Sequence, residues 1–207
     1  MHIAIVTAQG FNELDSFIAL GILNRVKRNA WRVSICAPSD TVTSMNGVTV
    51  NAQSRLADTA SADVVLFGSG TRTREFVADA ANLAALALDP KRQLIGAQCS
   101  GTLVLARLGL LQGVPACTDL TTRPWVVAAG VDVLEQPFFA AGNVATAGGC
   151  LSSQYLATWV IARTEGVEAA RTAMHYVAPV GEKDAYVDRA LAHVQPFLPA
   201  AAAPRAA

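Results

Sequence analysis

The stretch Leu94-Ile95-Gly96-Ala97-Gln98-Cys99-Ser100-Gly101-Thr102-Leu103-Val104 decides how this chain is read. Gln93 to Ala97 is a short apolar run and reads as a buried strand. From Gly101, the residues Leu103, Val104 and Leu108 share a helical face that stops around Gly113. Between the two lies Gly96-Ala97-Gln98-Cys99-Ser100-Gly101, where small neighbours let the chain turn sharply from strand to helix. Such a turn lifts its apex side chain toward solvent, which is the setting of a nucleophile elbow. Cys99 at a helix N-terminus is therefore expected to be an exposed thiolate, stabilised by the partial positive charge there. The plainer alternative is a buried structural cysteine at a glycine-rich turn.

The same alternation extends in both directions. His2 to Thr7 reads as a first strand, followed by Leu14, Phe17, Ile18 and Ile22 at helical spacing, with Arg25, Lys27 and Arg28 favouring that helix's C-terminal end. Trp31 to Cys36 is a second strand, and Met45-Asn46-Gly47 a turn between two small strands. Val64 to Phe67 is a buried strand and Asn143 to Thr146 a late one. Helices are expected near residues 152–163, 167–175 and 184–197. Alternating strands and helices predict a single-domain, three-layer α/β/α sandwich with a mostly parallel central sheet. The domain is expected to span residues 1–198, with 199–207 a disordered Ala/Pro tail. In such sheets ligands gather at the carboxyl ends of the strands, which directs attention to the loops after Thr7, Phe67 and Gln98.

Composition narrows the partners. Of 207 residues, 52% are hydrophobic and 15% charged, and the net charge is zero. That balance disfavours nucleic acid or an anionic membrane as the main partner. The apolar N-terminus is too short for a signal peptide and lacks a cationic start, and no apolar stretch reaches the ~18 residues of a membrane span. The expected compartment is the cytoplasm. The four cysteines, Cys36, Cys99, Cys117 and Cys150, form no C-x-x-C pair. No metal-ligand cluster is visible, so neither metal nor cofactor is expected.

The three loops hold the unusual residues. Gly68-Ser69-Gly70-Thr71 follows a buried strand, and its glycines allow backbone N–H groups to approach a ligand oxygen or a developing anion. Asn12-Glu13-Leu14-Asp15-Ser16 opens the first helix, where a carboxylate is more often a cap than a catalyst. Glu13 and Asp15 are two positions apart and face nearly opposite ways, so at most one can reach the thiol. Arg72 and Arg74 flank the anion loop and could select a negatively charged substrate, though a solvated surface pair is favoured. Cys150, at a helix start near the site, is either a second reactive thiol or, as favoured, a packing residue. Trp125 and Trp159 read as core or interface. His2, His175 and His193 fall in no motif.

Together, Glu13-Leu14-Asp15, Phe67-Gly68-Ser69-Gly70, Gly96-Ala97-Gln98-Cys99-Ser100-Gly101 and Thr146-Ala147-Gly148-Gly149 resemble the ThiJ/PfpI superfamily of class I glutamine amidotransferase-like proteins, over residues 2–180. The chain is most similar to the isonitrile hydratase branch, through the small hydroxyl residue after the cysteine, the Leu14-Asp15 pair and Gly109-Leu110-Leu111-Gln112-Gly113. The resemblance implies a flavodoxin-like fold, Cys99 as nucleophile, Asp15 as its proton partner, Ser100 as a supporting hydroxyl, and backbone groups of Gly70 and Thr71 as anion stabilisers. It also implies a homodimer with subunits paired beside the site. Ser100 stands where peptidase-like members have histidine, and Asp119 where glyoxalase-like members have one. Val180-Gly181-Glu182-Lys183 replaces the Pro-Pro-Phe stretch usual in the hydratase branch.

The activity this implies is a cofactor-free, cysteine-dependent hydratase or hydrolase of a small electrophile, with isonitrile to N-substituted formamide as the concrete case. The alternative is a redox or electrophile sensor without turnover. A glyoxalase, deglycase or amidase is a lesser alternative, and a regulatory ligand-binding domain lacks an appended DNA-binding motif.

Overall fold

The structure, a computed structural model, describes residues 1–199. The first strand, His2–Val6 (β1), buries both faces, Ile3 and Ile5 on one side and Ala4 and Val6 on the other, as a central parallel strand must. Asn12 then caps helix Glu13–Leu23 (α1), its Oδ1 accepting the Leu14 N–H at 3.1 Å. Arg25 and Lys27 lie just beyond the helix, and their side chains donate to the carbonyls of Gly21 and Asn24, each at 3.1 Å. Arg32–Ala37 (β2) returns to the sheet. The hairpin Thr41–Thr43 (β3) and Thr49–Asn51 (β4) turns at Met45-Asn46-Gly47 as expected. Ser54–Arg55 (β5) adds a short edge, and Val64–Phe67 (β6), with every residue buried, returns to the middle of the sheet.

Thr73–Ala78 (α2) and Ala80–Ala84 (α3) lead to Leu94–Gln98 (β7), and Gly101–Arg107 (α4) follows it directly. Arg123–Ala128 (α5) comes before the hairpin of Phe138–Ala141 (β8) and Val144–Ala147 (β9). Ser153–Glu165 (α6), Val167–Val177 (α7) and Lys183–Val194 (α8) complete the chain, with a 3-10 turn at Gln195–Phe197. The sheet order is β5-β2-β1-β6-β7-β9-β8, parallel except for β8. Helices α1, α6, α7 and α8 pack on the Ile3, Ile5 and Leu66 face, and α2 to α5 on the Ala4, Val6 and Phe67 face. This is the expected three-layer α/β/α sandwich with a mostly parallel sheet.

Several elements differ from the expectation. Helices α2, α3 and α5, at five or six residues, are too short to carry a readable period. Strand β8 had no counterpart in the sequence reading, although Gly142-Asn143 marks its turn and Gly142 has φ +59°. Trp159 is fully buried beside Phe138, at a ring-centroid distance of 6.4 Å. Among the described residues no helix is long and apolar enough to cross a membrane. Beyond Pro199, the expected Ala/Pro tail lies outside the described residues.

Candidate active site

Cys99 sits between β7 and α4 with φ +47°, one of two non-glycine residues with positive φ among the described residues. An L-residue in this left-handed region carries a steric cost of order 1–3 kcal/mol, tolerated where the surroundings impose it. Here they do so from both sides. The Cys99 N–H donates to Ala147 O at the end of β9 at 2.8 Å, and its carbonyl accepts from Thr118 Oγ1 at 2.7 Å. Gly101 is required because a Cβ there would lie 2.7 Å from the carbonyl oxygens of Phe67 and Gly68, so α4 starts hard against the end of β6. The strand-to-helix elbow is present.

The apex side chain does not point into solvent. Cys99 is 3% exposed, and burial, seconded by the charge of Asp15, pushes its thiol well above the ordinary range. The exposed, preformed thiolate expected from the helix N-terminus is thereby corrected. The seven-residue α4 offers a weak dipole, and desolvation disfavours the charged form more strongly. Ionisation of Cys99 needs a proton acceptor at hand.

Asp15 supplies that position. It is 2% exposed on the first turn of α1, and the same helix sends Glu13 elsewhere, to the hydroxyl of Ser44 and to Asn46 Nδ2 at 2.8 Å. Ser69 Oγ donates to Asp15 Oδ2, Ser153 Oγ donates to the Asp15 carbonyl at 2.7 Å, and Oδ1 is buried without a hydrogen-bond partner. Burial raises the Asp15 carboxyl above its usual range, against the opposing pull of Ser69 and the neighbouring thiols. A carboxylate oxygen of Asp15, Cys99 Sγ and Cys150 Sγ all lie within 4.8 Å of one another.

Cys150 is a neighbour of the elbow, as its expected position at a helix start near the site allowed, although packing was the favoured role. It follows Gly148-Gly149 at the end of β9, the strand paired with β7. Gly148 is needed because a Cβ there would sit 2.3 Å from Thr118 O. Asn12 Nδ2 donates to Cys150 Sγ at 3.1 Å, and Gln98 Nε2 lies 3.5 Å from Cys99 Sγ while donating to Gly149 O at 2.6 Å. Two sulfurs and a carboxylate in mutual reach could also bridge a soft divalent cation, so the expectation that no ligand cluster exists does not hold. The sequence signal for Cys150, Asn12 and Gln98 was their place at the carboxyl ends of β1, β7 and β9.

Gly70 and Thr71 do not fit the anion-stabilising role expected of them. The Gly70 N–H donates to Ser100 Oγ at 3.1 Å and the Thr71 N–H to Gly10 O at 2.9 Å, so both fasten the loop after β6. Ser100, 5% exposed, also shares a 2.7 Å hydrogen bond with Thr73 Oγ1, so its hydroxyl supports the elbow from below. Arg72 pairs with Glu75 at 2.6 Å, and Arg74 lies over the Trp125 ring at 4.9 Å. His2 contacts Ser34 Oγ at 2.9 Å and His193 packs on Tyr155, both away from the elbow.

Comparison with protein-family models matches residues 1–163 to the DJ-1/PfpI family. The chain belongs to this family. Solved structures agree on the fold of this DJ-1/PfpI member. A cysteine-to-alanine mutant of the DJ-1 superfamily protein STM1931 from Salmonella typhimurium is 26% identical, with a TM-score of 0.73, covering 86% of this chain and 98% of its own. A ThiJ/PfpI family protein from Pseudomonas syringae is 21% identical with a TM-score of 0.73, covering 94% of this chain and 87% of its own. Oxidized Toxoplasma gondii DJ-1 is 20% identical with a TM-score of 0.72, covering 85% and 97% respectively. Comparison with curated protein sequences finds no match.

Proposed function

We propose that this DJ-1/PfpI protein is a cofactor-free, cysteine-dependent enzyme acting on a small electrophile, with hydration of an isonitrile as the concrete reaction. The observation that carries the reading is the placement of the buried Asp15 carboxylate within 4.8 Å of Cys99 Sγ at a left-handed turn. A thiol that is hard to ionise alone becomes a nucleophile when its proton passes to an adjacent base during attack, and a carboxylate with a raised affinity for protons suits that exchange. The Cys99 sulfur would bond to the terminal isonitrile carbon as its proton moves to Asp15. Asp15 would return the proton to that carbon, giving a thioimidate. Water then adds to the same carbon, Asp15 relays its proton, the C–S bond breaks, and an N-substituted formamide leaves as the thiol reforms.

Steady-state hydration of a simple alkyl isonitrile by wild type and Cys99→Ala, with intact mass to trap the thioimidate, tests the reading. Absence of both turnover and adduct would remove it. The second reading, a sensor of peroxides or electrophiles without turnover, is favoured by the 3% exposure of Cys99, which admits a small reagent more readily than a bulky substrate. Peroxide modification of Cys99 without turnover on any isonitrile or dicarbonyl would select it.

We further propose a homodimer in the cytoplasm. A groove of about 470 Å³ between α1, α6, α7 and α8, lined by Phe17, Ile18, Leu151, Val177 and Tyr186, lies beside the site, and Leu151 is 66% exposed. A second copy covering this face would bury it. The four free thiols suit a reducing compartment. A monomer mass by light scattering at micromolar concentration would oppose the dimer.

A further inference from the structure

We infer that Cys150 is a resolving cysteine for Cys99, and that hydroperoxide converts the pair to an intramolecular disulfide. The inference rests on the reading of Cys99 as the reactive sulfur, and adds a modification site with its own chemistry.

The two sulfurs lie within 4.8 Å of each other, although the residues are 51 positions apart. Their backbones are held in register: Gln98 pairs with Ala147 across β7 and β9, and Cys99 N–H bonds to Ala147 O. Closing the remaining gap to the ~2.05 Å of an S–S bond asks for side-chain rotation. Cys150 is half-buried and Cys99 buried, so Cys150 is the more accessible of the pair. Asn12 Nδ2 at 3.1 Å stabilises Cys150 as it loses its proton.

In the first step the Cys99 sulfur attacks one peroxide oxygen. The O–O bond breaks, an S–O bond forms, and the leaving hydroxide takes up the thiol proton as water, leaving a sulfenic acid. The Cys150 sulfur then attacks the Cys99 sulfur. The S–S bond forms as the S–O bond breaks, and the departing hydroxyl leaves as water with the Cys150 proton, which Asp15 is placed to relay. Two thiols lose two electrons and one peroxide gains them, yielding two waters.

Electrostatics favours this outcome over further oxidation. The charges acting most on Cys99 are those of Asp15, Cys150 and Asp119, all of one sign. A sulfinate at Cys99 would add a buried anion to that set, whereas a disulfide removes two ionisable groups from it.

The test exposes the reduced full-length protein to graded hydrogen peroxide, alkylates the remaining thiols under denaturing conditions, and reads intact mass and non-reducing peptide maps for wild type and Cys150→Ser. Wild type should lose two hydrogens, with a Cys99–Cys150 cross-link that dithiothreitol reverses. Cys150→Ser should lose the cross-link and gain two oxygens at Cys99. The inference is overturned if wild type gains two oxygens at Cys99 while Cys150 remains alkylatable, or if the cross-link joins another pair. If Cys99 stays reduced while other cysteines oxidise, the reading of Cys99 as the reactive sulfur falls as well.

Discussion

Ser100 Oγ accepts the Gly70 N–H at 3.1 Å and lies 2.7 Å from Thr73 Oγ1, so the residue after Cys99 fastens the elbow to the loop that carries Ser69. Ser69 in turn holds Asp15. One hydroxyl therefore links the two segments whose relative placement sets the Asp15–Cys99 geometry.

Ser100→Ala should cost the part-buried Gly70 N–H its hydrogen-bond partner, about 0.5–1.5 kcal/mol. For a chain of this size each kcal/mol lowers the melting temperature by about 2–4 °C. Turnover should fall beyond what lost folding explains, and Ser100→Thr should restore part of it. Melting curves and steady-state kinetics on the three proteins check this. Wild-type turnover in Ser100→Ala would oppose the positioning role.

Asp15→Asn keeps the shape and the acceptor for Ser69 but cannot exchange a proton. Turnover should fall by the ~10²–10⁴ typical of a lost general acid–base. Glu13→Gln, whose side chain reaches Ser44 and Asn46, should retain most activity. The reverse ranking in steady-state assays would mean that the proton is handled elsewhere.

The same substitution should change stability with pH in a definite direction. Burial raises the Asp15 carboxyl above its ordinary value of 3.8, so the folded state holds this proton more tightly than the unfolded chain does. Its ionisation therefore opposes folding. The penalty is absent below the ordinary value, grows up to the raised one, and is constant above that. Asp15→Asn should melt higher than wild type at pH 8, with the gap closing near pH 3. A gap independent of pH would show that Asp15 is not desolvated.

Alkylation by iodoacetamide should speed up with pH for all four cysteines. Cys36, pushed up to about 11 by burial with its Sγ donating to Arg55 O, Cys117, pushed up to about 12, and Cys99, pushed higher still, are all buried and should react late. Half-buried Cys150 should label before Cys99. Selective labelling of Cys99 at mildly acidic pH would mean that the thiol is less buried than the structure has it.

Two glycines should respond oppositely to alanine. At Gly148 the new Cβ would meet Thr118 O at 2.3 Å, and the crowding should cost roughly 1–3 kcal/mol. At Gly21, inside α1 with nothing within 4 Å, alanine should stabilise by roughly 0.5–1 kcal/mol. Denaturant titration of both variants reads these signs directly.

The sheet's centre was legible because β1, β6 and β7 are apolar runs bounded by polar or glycine-rich turns, and a parallel strand covered on both faces leaves that trace. That only one of Glu13 and Asp15 could reach the thiol was legible from helical geometry, and that it is Asp15 was legible from the family resemblance. The burial of Cys99 was not, because it depends on how α1, β6 and the segment around Cys150 close over the elbow. The bonds at Gly70 and Thr71 were hidden for a related reason. Glycines advertise freedom of approach, and only the tertiary partner decides whether Ser100, Gly10 or a ligand makes it. For Cys150 packing was favoured over a second reactive thiol because strand register, absent from local pattern, is what brings it to Cys99 from 51 residues away.

The pieces of the site arrive at very different times during synthesis. Asp15 emerges early, Cys99 midway, and the β9 end with Cys150 and Ser153 only after another fifty or so residues, and Ala147 O and Ser153 are what hold the Cys99 backbone and the Asp15 helix. Until that late segment docks, a growing chain carries Cys99 in water, where its thiol ionises more readily than in the finished protein. Docking of that late segment is thus also the step that withdraws this cysteine from indiscriminate chemistry, and chains ending before residue 144 would carry it unguarded.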